Sequence, residues 1–177
     1  ANDANYRCRL VGQEFRGNDL GDDLFAATPP LEAIKMLLSL AASQRGKKIK
    51  KKLMCIDVSK AYFHAPSRRP VYVKLPAEAL ELGEEPKQVC GRLNYFLYGT
   101  RHAAQNWEEE YASFLTKFCC RKGRSSPCIF RHTQKGINIV VHGDDFIILG
   151  EDADLKWLSE KFAQKFKIKV RAILGPE

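Results

Sequence analysis

At 177 residues, 45% of them hydrophobic, the chain has the length for one domain, or one and a fraction, with a real core, and it is too apolar to be a disordered segment. A formal net charge of +8 favours a polyanionic partner such as nucleic acid, although many basic proteins have none. No apolar run reaches the roughly 18 residues a membrane span needs, and the opening Ala1-Asn2-Asp3-Ala4-Asn5 has neither a signal pattern nor an initiator Met, so the chain reads as a piece of a longer intracellular protein with no membrane contact.

Tyr6-Arg7-Cys8-Arg9-Leu10-Val11 alternates basic with less polar residues before Gly12, the pattern of a strand with one cationic face or of an edge strand guarded by charge. Residues 16–23 form a loop in which Asp22-Asp23 is a solvated acidic pair with no apolar strand leading into it. Thr28-Pro29-Pro30 opens a helix, with Thr28 as its cap and Gly46 as its stop. Leu31, Ile34, Leu37, Leu38 and Ala41 recur at helical spacing and predict one buried face. Lys47 to Lys52 holds five lysines around Ile49, read as a flexible charged loop ahead of a nuclear signal or a phosphate contact.

Leu53-Met54-Cys55-Ile56 is apolar throughout and predicts a buried strand. It ends on Asp57, a carboxylate straight after core. Such an acid caps the following turn, or it is paired or bound to a metal. Tyr62 follows five residues later. Val71–Leu75 and Gln88–Leu93 are further strand candidates around an acidic loop, Pro76–Pro86. Leu97-Tyr98-Gly99-Thr100-Arg101-His102-Ala103 leads into a second helix with the core-facing stripe Trp107, Tyr111, Phe114, Leu115 and Phe118. Cys128–Arg131 and Ile137–Val141 flank the turn Gln134-Lys135-Gly136 as a hairpin. Ala153–Phe166 reads as a third helix, with Leu155, Leu158 and Phe162 inward, and residues 166–170 as a strand.

The stretch that orders all of this is Val140-Val141-His142-Gly143-Asp144-Asp145-Phe146-Ile147-Ile148-Leu149-Gly150. β-branched residues on both sides of Gly-Asp predict a hairpin with two adjacent carboxylates at its tip. Alone, that is an ordinary solvated turn. Asp57 in a similar setting makes it more: three acids repel one another unless a cation sits among them, and Mg²⁺ is a hard, oxygen-seeking ion commonly held by carboxylates and substrate phosphates. The six cysteines form no CxxC pair, which suits a reduced compartment. Cys119, Cys120, Cys128 and His132 fit no zinc spacing and read as small buried hydrophobes. Strands, hairpins and helices intermix, and an α+β layer fits best: an antiparallel sheet with helices packed on one face.

The order of these segments resembles the copia-type reverse transcriptases of long-terminal-repeat retrotransposons. Arg7–Val11 looks like their finger strand, and Thr28-Pro29-Pro30-Leu31-Glu32 like the start of their fingers helix. Asp57-Val58-Ser59-Lys60-Ala61-Tyr62-Phe63 resembles polymerase motif A, Leu97 to Trp107 motif B, Pro127-Cys128-Ile129-Phe130 the "DPCLF" segment, and Gly143-Asp144-Asp145 motif C. The resemblance covers nearly the whole chain and implies a right-hand polymerase with palm and partial fingers. The fingers would take about residues 1–50 and 64–100 and the palm about 51–63 and 101–177, with no thumb or RNase H.

By the same resemblance, Asp57, Asp144 and Asp145, with the main-chain carbonyl of Val58, would hold two Mg²⁺ ions, with Mn²⁺ as a substitute. Tyr62 would be the steric gate against a 2′-hydroxyl; RNA polymerases that share Gly-Asp-Asp carry an Asp there. Arg7 or Arg9 would contact the triphosphate, and Tyr98, Gly99 and Arg101 would line the nucleotide and template side. The partners implied are an RNA or DNA template with primer, deoxynucleoside triphosphates and the rest of a polyprotein, in a cytoplasmic particle or the nucleus. Three departures stand out: His142-Gly143 replaces the family's Tyr-Val, Arg101-His102-Ala103-Ala104 replaces Lys-Gln-Ala-Pro, and Cys119-Cys120 replaces Gly-Phe. A non-catalytic relic that keeps the fold and binds nucleic acid is the alternative reading.

Overall fold

The computed structural model describes residues 10–14, 26–43, 50–80, 85 and 89–175. Arg7, Arg9, Asp22, Asp23 and Gly46, and the first half of the lysine run, lie outside them. Helix α1 (Leu31–Ala42) precedes strand β1 (Lys52–Val58) and a short 3₁₀ turn at Ala61–His64. Strands β2 (Tyr72–Lys74) and β3 (Cys90–Arg92) pair as a separate two-stranded ribbon. Helix α2 (Ala103–Lys117), strands β4 (Cys120–Lys122), β5 (Ile129–His132), β6 (Ile137–His142) and β7 (Asp145–Gly150), helix α3 (Asp152–Lys165) and strand β8 (Ile168–Leu174) complete the chain.

Six strands form one antiparallel sheet in the order β4-β5-β6-β7-β1-β8. Strand side chains alternate between faces, and the central strands are apolar on both. Met54, Ile56, Val58, Phe146 and Ile148 face α2 and α3 in the main core, with Trp107, Tyr111, Phe114, Leu158 and Phe162. Their rings meet edge to face, Phe146 lying 5.5 Å from Tyr111 and 4.9 Å from Phe162 between centroids, a preferred aromatic geometry.

The opposite face carries Leu53, Val140, Ile147 and Leu149, and α1 covers them through Leu37, Ala33, Ile34 and Ala41. Helices therefore pack on both faces, not one as expected. The reason is legible afterwards: a strand that is apolar on both sides needs two covers. The helix α1 itself is only half as predicted. Leu37 is buried, but Leu31 and Leu38 are exposed. Pro30, not Thr28, is its N-cap, and no side chain caps it.

Strand β4 was not foreseen. Three residues, two of them charged, carry too little periodicity to announce a strand. Just before it, Cys119 sits at φ 61°, a left-handed turn usually given to glycine.

Candidate active site

The acids are brought together by register. Strands β1 and β7 are hydrogen-bonded neighbours, and Asp57 lies directly across from Asp145. Paired residues point to the same face, so both carboxylates stand on the α1 side of the sheet, beyond the end of that helix's small cluster. Asp145 is thus the first residue of β7 and not on the tip itself. The two-residue bend is Gly143-Asp144, with His142 opposite Asp145. Gly143 has φ 64° while Asp144 is not left-handed, the pattern of a II′ hairpin turn, which takes glycine at its first central position.

Two bonds hold that bend. The Val58 N–H donates to the Asp144 carbonyl at 2.9 Å, which ties the turn to the end of β1. The Trp107 indole Nε1–H donates to the Gly143 carbonyl at 2.8 Å, which ties it to α2. Trp107 is otherwise a fully buried core ring, and helical periodicity identified it only as that.

Electrostatics follow from the crowding. Burial, then the charges of Asp144 and Asp57, push the Asp145 carboxyl above the usual carboxylate range, against the pull of His142 and Arg171. Burial and the charge on Asp145 raise the Cys55 thiol. The Tyr62 phenol is raised by burial and by Asp144, so the proposed gate ring lies within electrostatic reach of the hairpin. Arg171 Nη2 approaches Asp57 Oδ1 to 3.2 Å. Among the described residues no three His, Cys, Asp or Glu side chains are closed onto one point as a ready metal cage. The donor chemistry nonetheless suits a hard divalent cation: three carboxylates on adjacent backbone, each raising the cost of charging the next.

Motifs A and B also meet. Tyr62 packs on Tyr98 with centroids 4.4 Å apart, and Phe63 meets the same ring edge to face at 5.8 Å. Gly99 has φ 85°, and a Cβ there would lie 1.9 Å from the Gly12 carbonyl oxygen. The Gly12 N–H donates to the Tyr98 carbonyl at 2.6 Å and that of Glu14 to Gly99 at 3.2 Å. Residues 10–14 are therefore laced to motif B by backbone bonds, although no strand is assigned there.

Arg101 differs from the expectation in what fixes it. Its backbone N–H donates to Glu14 Oε2 at 2.8 Å, and Arg69 pairs with the other oxygen. Burial alone would raise the Glu14 carboxyl, but these donors and charges bring it below its usual value. A cavity of about 840 Å³ opens on this side, between Leu10–Glu14, Arg69–Ala77, Leu97 and Thr100, and none of the three acids lines it. Of the cysteine group, Cys120 lies across from His132 in the β4–β5 ladder, and Cys128 donates to the Ala27 carbonyl at 3.0 Å. Sequence reasoning missed Glu14, Arg171 and the anchoring role of Trp107. Only the basic alternation at Lys167, Lys169 and Arg171 offered a signal for any of them.

Comparison with known proteins supplies the family. A family model described as reverse transcriptase (RNA-dependent DNA polymerase) matches residues 1–175. The chain belongs to that family, on the copia-type branch. It is 31% identical over 181 aligned positions to a retrovirus-related Pol polyprotein from transposon TNT 1-94 of Nicotiana tabacum, an alignment that takes in 96% of this chain and 13% of the relative. No solved structure matches it. No helix among the described residues is long and apolar enough to cross a membrane.

Proposed function

We propose that the chain is the palm and partial fingers of an RNA-directed DNA polymerase that adds deoxynucleotides to a primer 3′-hydroxyl on an RNA or DNA template. The palm takes about residues 51–63 and 101–177, and the fingers about 1–50 and 64–100. One observation carries the reading: Asp57 and Asp145 face each other across paired strands while the Asp144 turn is bonded to Val58. Asp57, Asp144, Asp145 and the Val58 carbonyl are the oxygens for two Mg²⁺ or Mn²⁺ ions. When bound, such a pair activates the attacking hydroxyl and stabilises the leaving pyrophosphate. The rest of the work is positioning.

Tyr62, seated on Tyr98, holds its ring beneath the incoming sugar and excludes a 2′-hydroxyl. Gly99 keeps motif B flush against residues 12–14, and Arg101 is fixed by Glu14 to line the nucleotide and template side. Arg7 or Arg9 contacts the triphosphate. The face that bears the acids also presents exposed Arg121, Arg131 and Lys169, in ladder positions on that same side, which suits a phosphate backbone. Arg121 and Arg131 are directly opposite, an unfavourable like-charge pairing that an anion relieves. The tobacco relative is a polyprotein by name, and on this reading the domain works beside other segments of one, with a thumb and RNase H as its partners.

Primer extension with Mg²⁺ and deoxynucleotides tests this. Asp144→Asn removes a metal oxygen at nearly constant shape and should lower incorporation by about 10²–10⁴. Unchanged incorporation would remove the mechanism. The second reading, a non-catalytic relic, is favoured by one observation: the departures from the family pattern at His142-Gly143, Arg101–Ala104 and Cys119-Cys120. Its signature is salt-dependent binding of primer–template with no extension even when a thumb is supplied.

A further inference from the structure

Strand β8 does more than close the sheet. Its register on β1 slips between Cys55 and Ile56. Ala172 lies across from Cys55 and Val170 across from Ile56, which leaves Arg171 as the extra residue of a β-bulge. Bulges re-aim side chains and recur next to active sites. Here the bulge accompanies an Arg171 Nη2 that lies 3.2 Å from Asp57 Oδ1.

The neighbouring cation on β8 is placed differently. Lys169 is the direct ladder partner of Asp57, yet it is Arg171 that makes the ion pair. The Asp57 side chain is 18% exposed and that of Arg171 is 52% exposed. The carboxylate is therefore fairly sheltered, while its partner can swing into water without leaving a buried cation behind.

We infer that Arg171 is a positioning residue, the resident counter-ion of Asp57: it holds that carboxylate in place while no divalent cation is bound and releases it when one binds. The inference rests on the reading of Asp57 as a metal ligand. Coulomb's law fixes its sign. Two cations drawn to one carboxylate weaken each other's hold, so removing the guanidinium strengthens the metal's. At this exposure the effect is modest, roughly two- to fivefold in affinity.

The test is Mn²⁺ binding to the full chain, by electron paramagnetic resonance or calorimetry at low ionic strength, across a charge series. Affinity should rise roughly two- to fivefold in Arg171→Gln and further in Arg171→Glu, and stay at the wild-type level in Arg171→Lys. Lys169→Gln removes the same charge from the same strand without breaking the pair and should shift affinity less. Equal effects at positions 169 and 171, or no tightening in Arg171→Gln and Arg171→Glu, overturn the counter-ion role. Asp144→Asn separates the two levels of the argument. If it weakens Mn²⁺ binding while the Arg171 series stays flat, the metal reading stands and only the counter-ion role falls. If wild type takes up no Mn²⁺, or Asp144→Asn changes nothing, both fall.

Discussion

The two faces of the six-stranded sheet are built to opposite ends. On one, α2 and α3 seal a continuous aromatic core in which Trp107, Phe130, Phe146 and Phe162 are almost wholly buried. On the other, α1 covers a small patch whose buried members, among the described residues, are Leu37, Leu53, Val140 and Leu149, and the sheet beyond it carries Asp57, Asp145 and a basic fringe. One face supplies most of the buried core, and the other leaves charged side chains open to solvent. The lesson is that a single strand serves both: in β1, Ile56 belongs to the first face and Asp57 to the second.

The sharpest way to break this division is Trp107→Ala. It empties the largest buried side chain and removes the donor to Gly143, so stability should fall by about 3–5 kcal/mol in urea unfolding. Trp107→Phe separates the two roles, because it keeps most of the ring and loses only the N–H. If the indole bond matters to the bend, this variant melts close to wild type yet loses polymerase activity; full activity would confine Trp107 to packing.

Next in size is Tyr62→Val, at the margin of the main core, where the ring packs on Tyr98. Ribonucleotide incorporation relative to deoxynucleotide should rise about tenfold or more, with the melting temperature little changed. Unaltered sugar selectivity takes Tyr62 out of the gate. At the exposed turn between α2 and β4, Cys119→Gly relieves a left-handed φ of 61° and should stabilise the fold by about 1 kcal/mol, without effect on metal binding.

The smallest effect sharpens the contrast by pH. The Asp145 carboxyl is raised in the fold by burial and by Asp144 and Asp57. A raised acid favours the folded state below its ordinary titration range, and that contribution is lost as pH rises through the folded value. Metal-free Asp145→Asn should therefore melt higher than wild type at neutral pH, with the advantage fading as pH drops into the carboxylate range. Saturating Mn²⁺ should reverse the order by stabilising wild type alone. An advantage that persists at pH 3 would place its cause outside this charge cluster.

The parts of the fold that were legible are those whose apolar pattern and punctuation agree. Residues 53–57 form the expected strand and 140–150 the expected hairpin, because short β-branched runs bounded by Gly-Asp leave few alternatives. Helix α3 and the stripe of α2 were read correctly because aromatic and Leu side chains recur at helical spacing. What escaped depends on partners distant in sequence. Leu31 and Leu38 share the helical spacing of Leu37 yet stay exposed, because coverage depends on what the sheet places beneath them, and no local pattern states that. The bulge at Arg171 comes from a register offset between β8 and β1, invisible in a strand that merely alternates. Glu14 gains its importance only from Arg69 and Arg101, both more than fifty residues away.

The two glycines of the site differ in a way that bears on how copies of such an element drift. At Gly143 a methyl would meet nothing within 4 Å, and only its φ of 64° is demanding, a position that primed turns fill with glycine and, less often, asparagine or aspartate. At Gly99 a methyl would strike the main chain of Gly12. In a library randomised at both codons, the bend beside the acids should return several amino acids. The distant seam should return one, and the first irreparable lesion in an ageing copy is to be sought there rather than at the carboxylates.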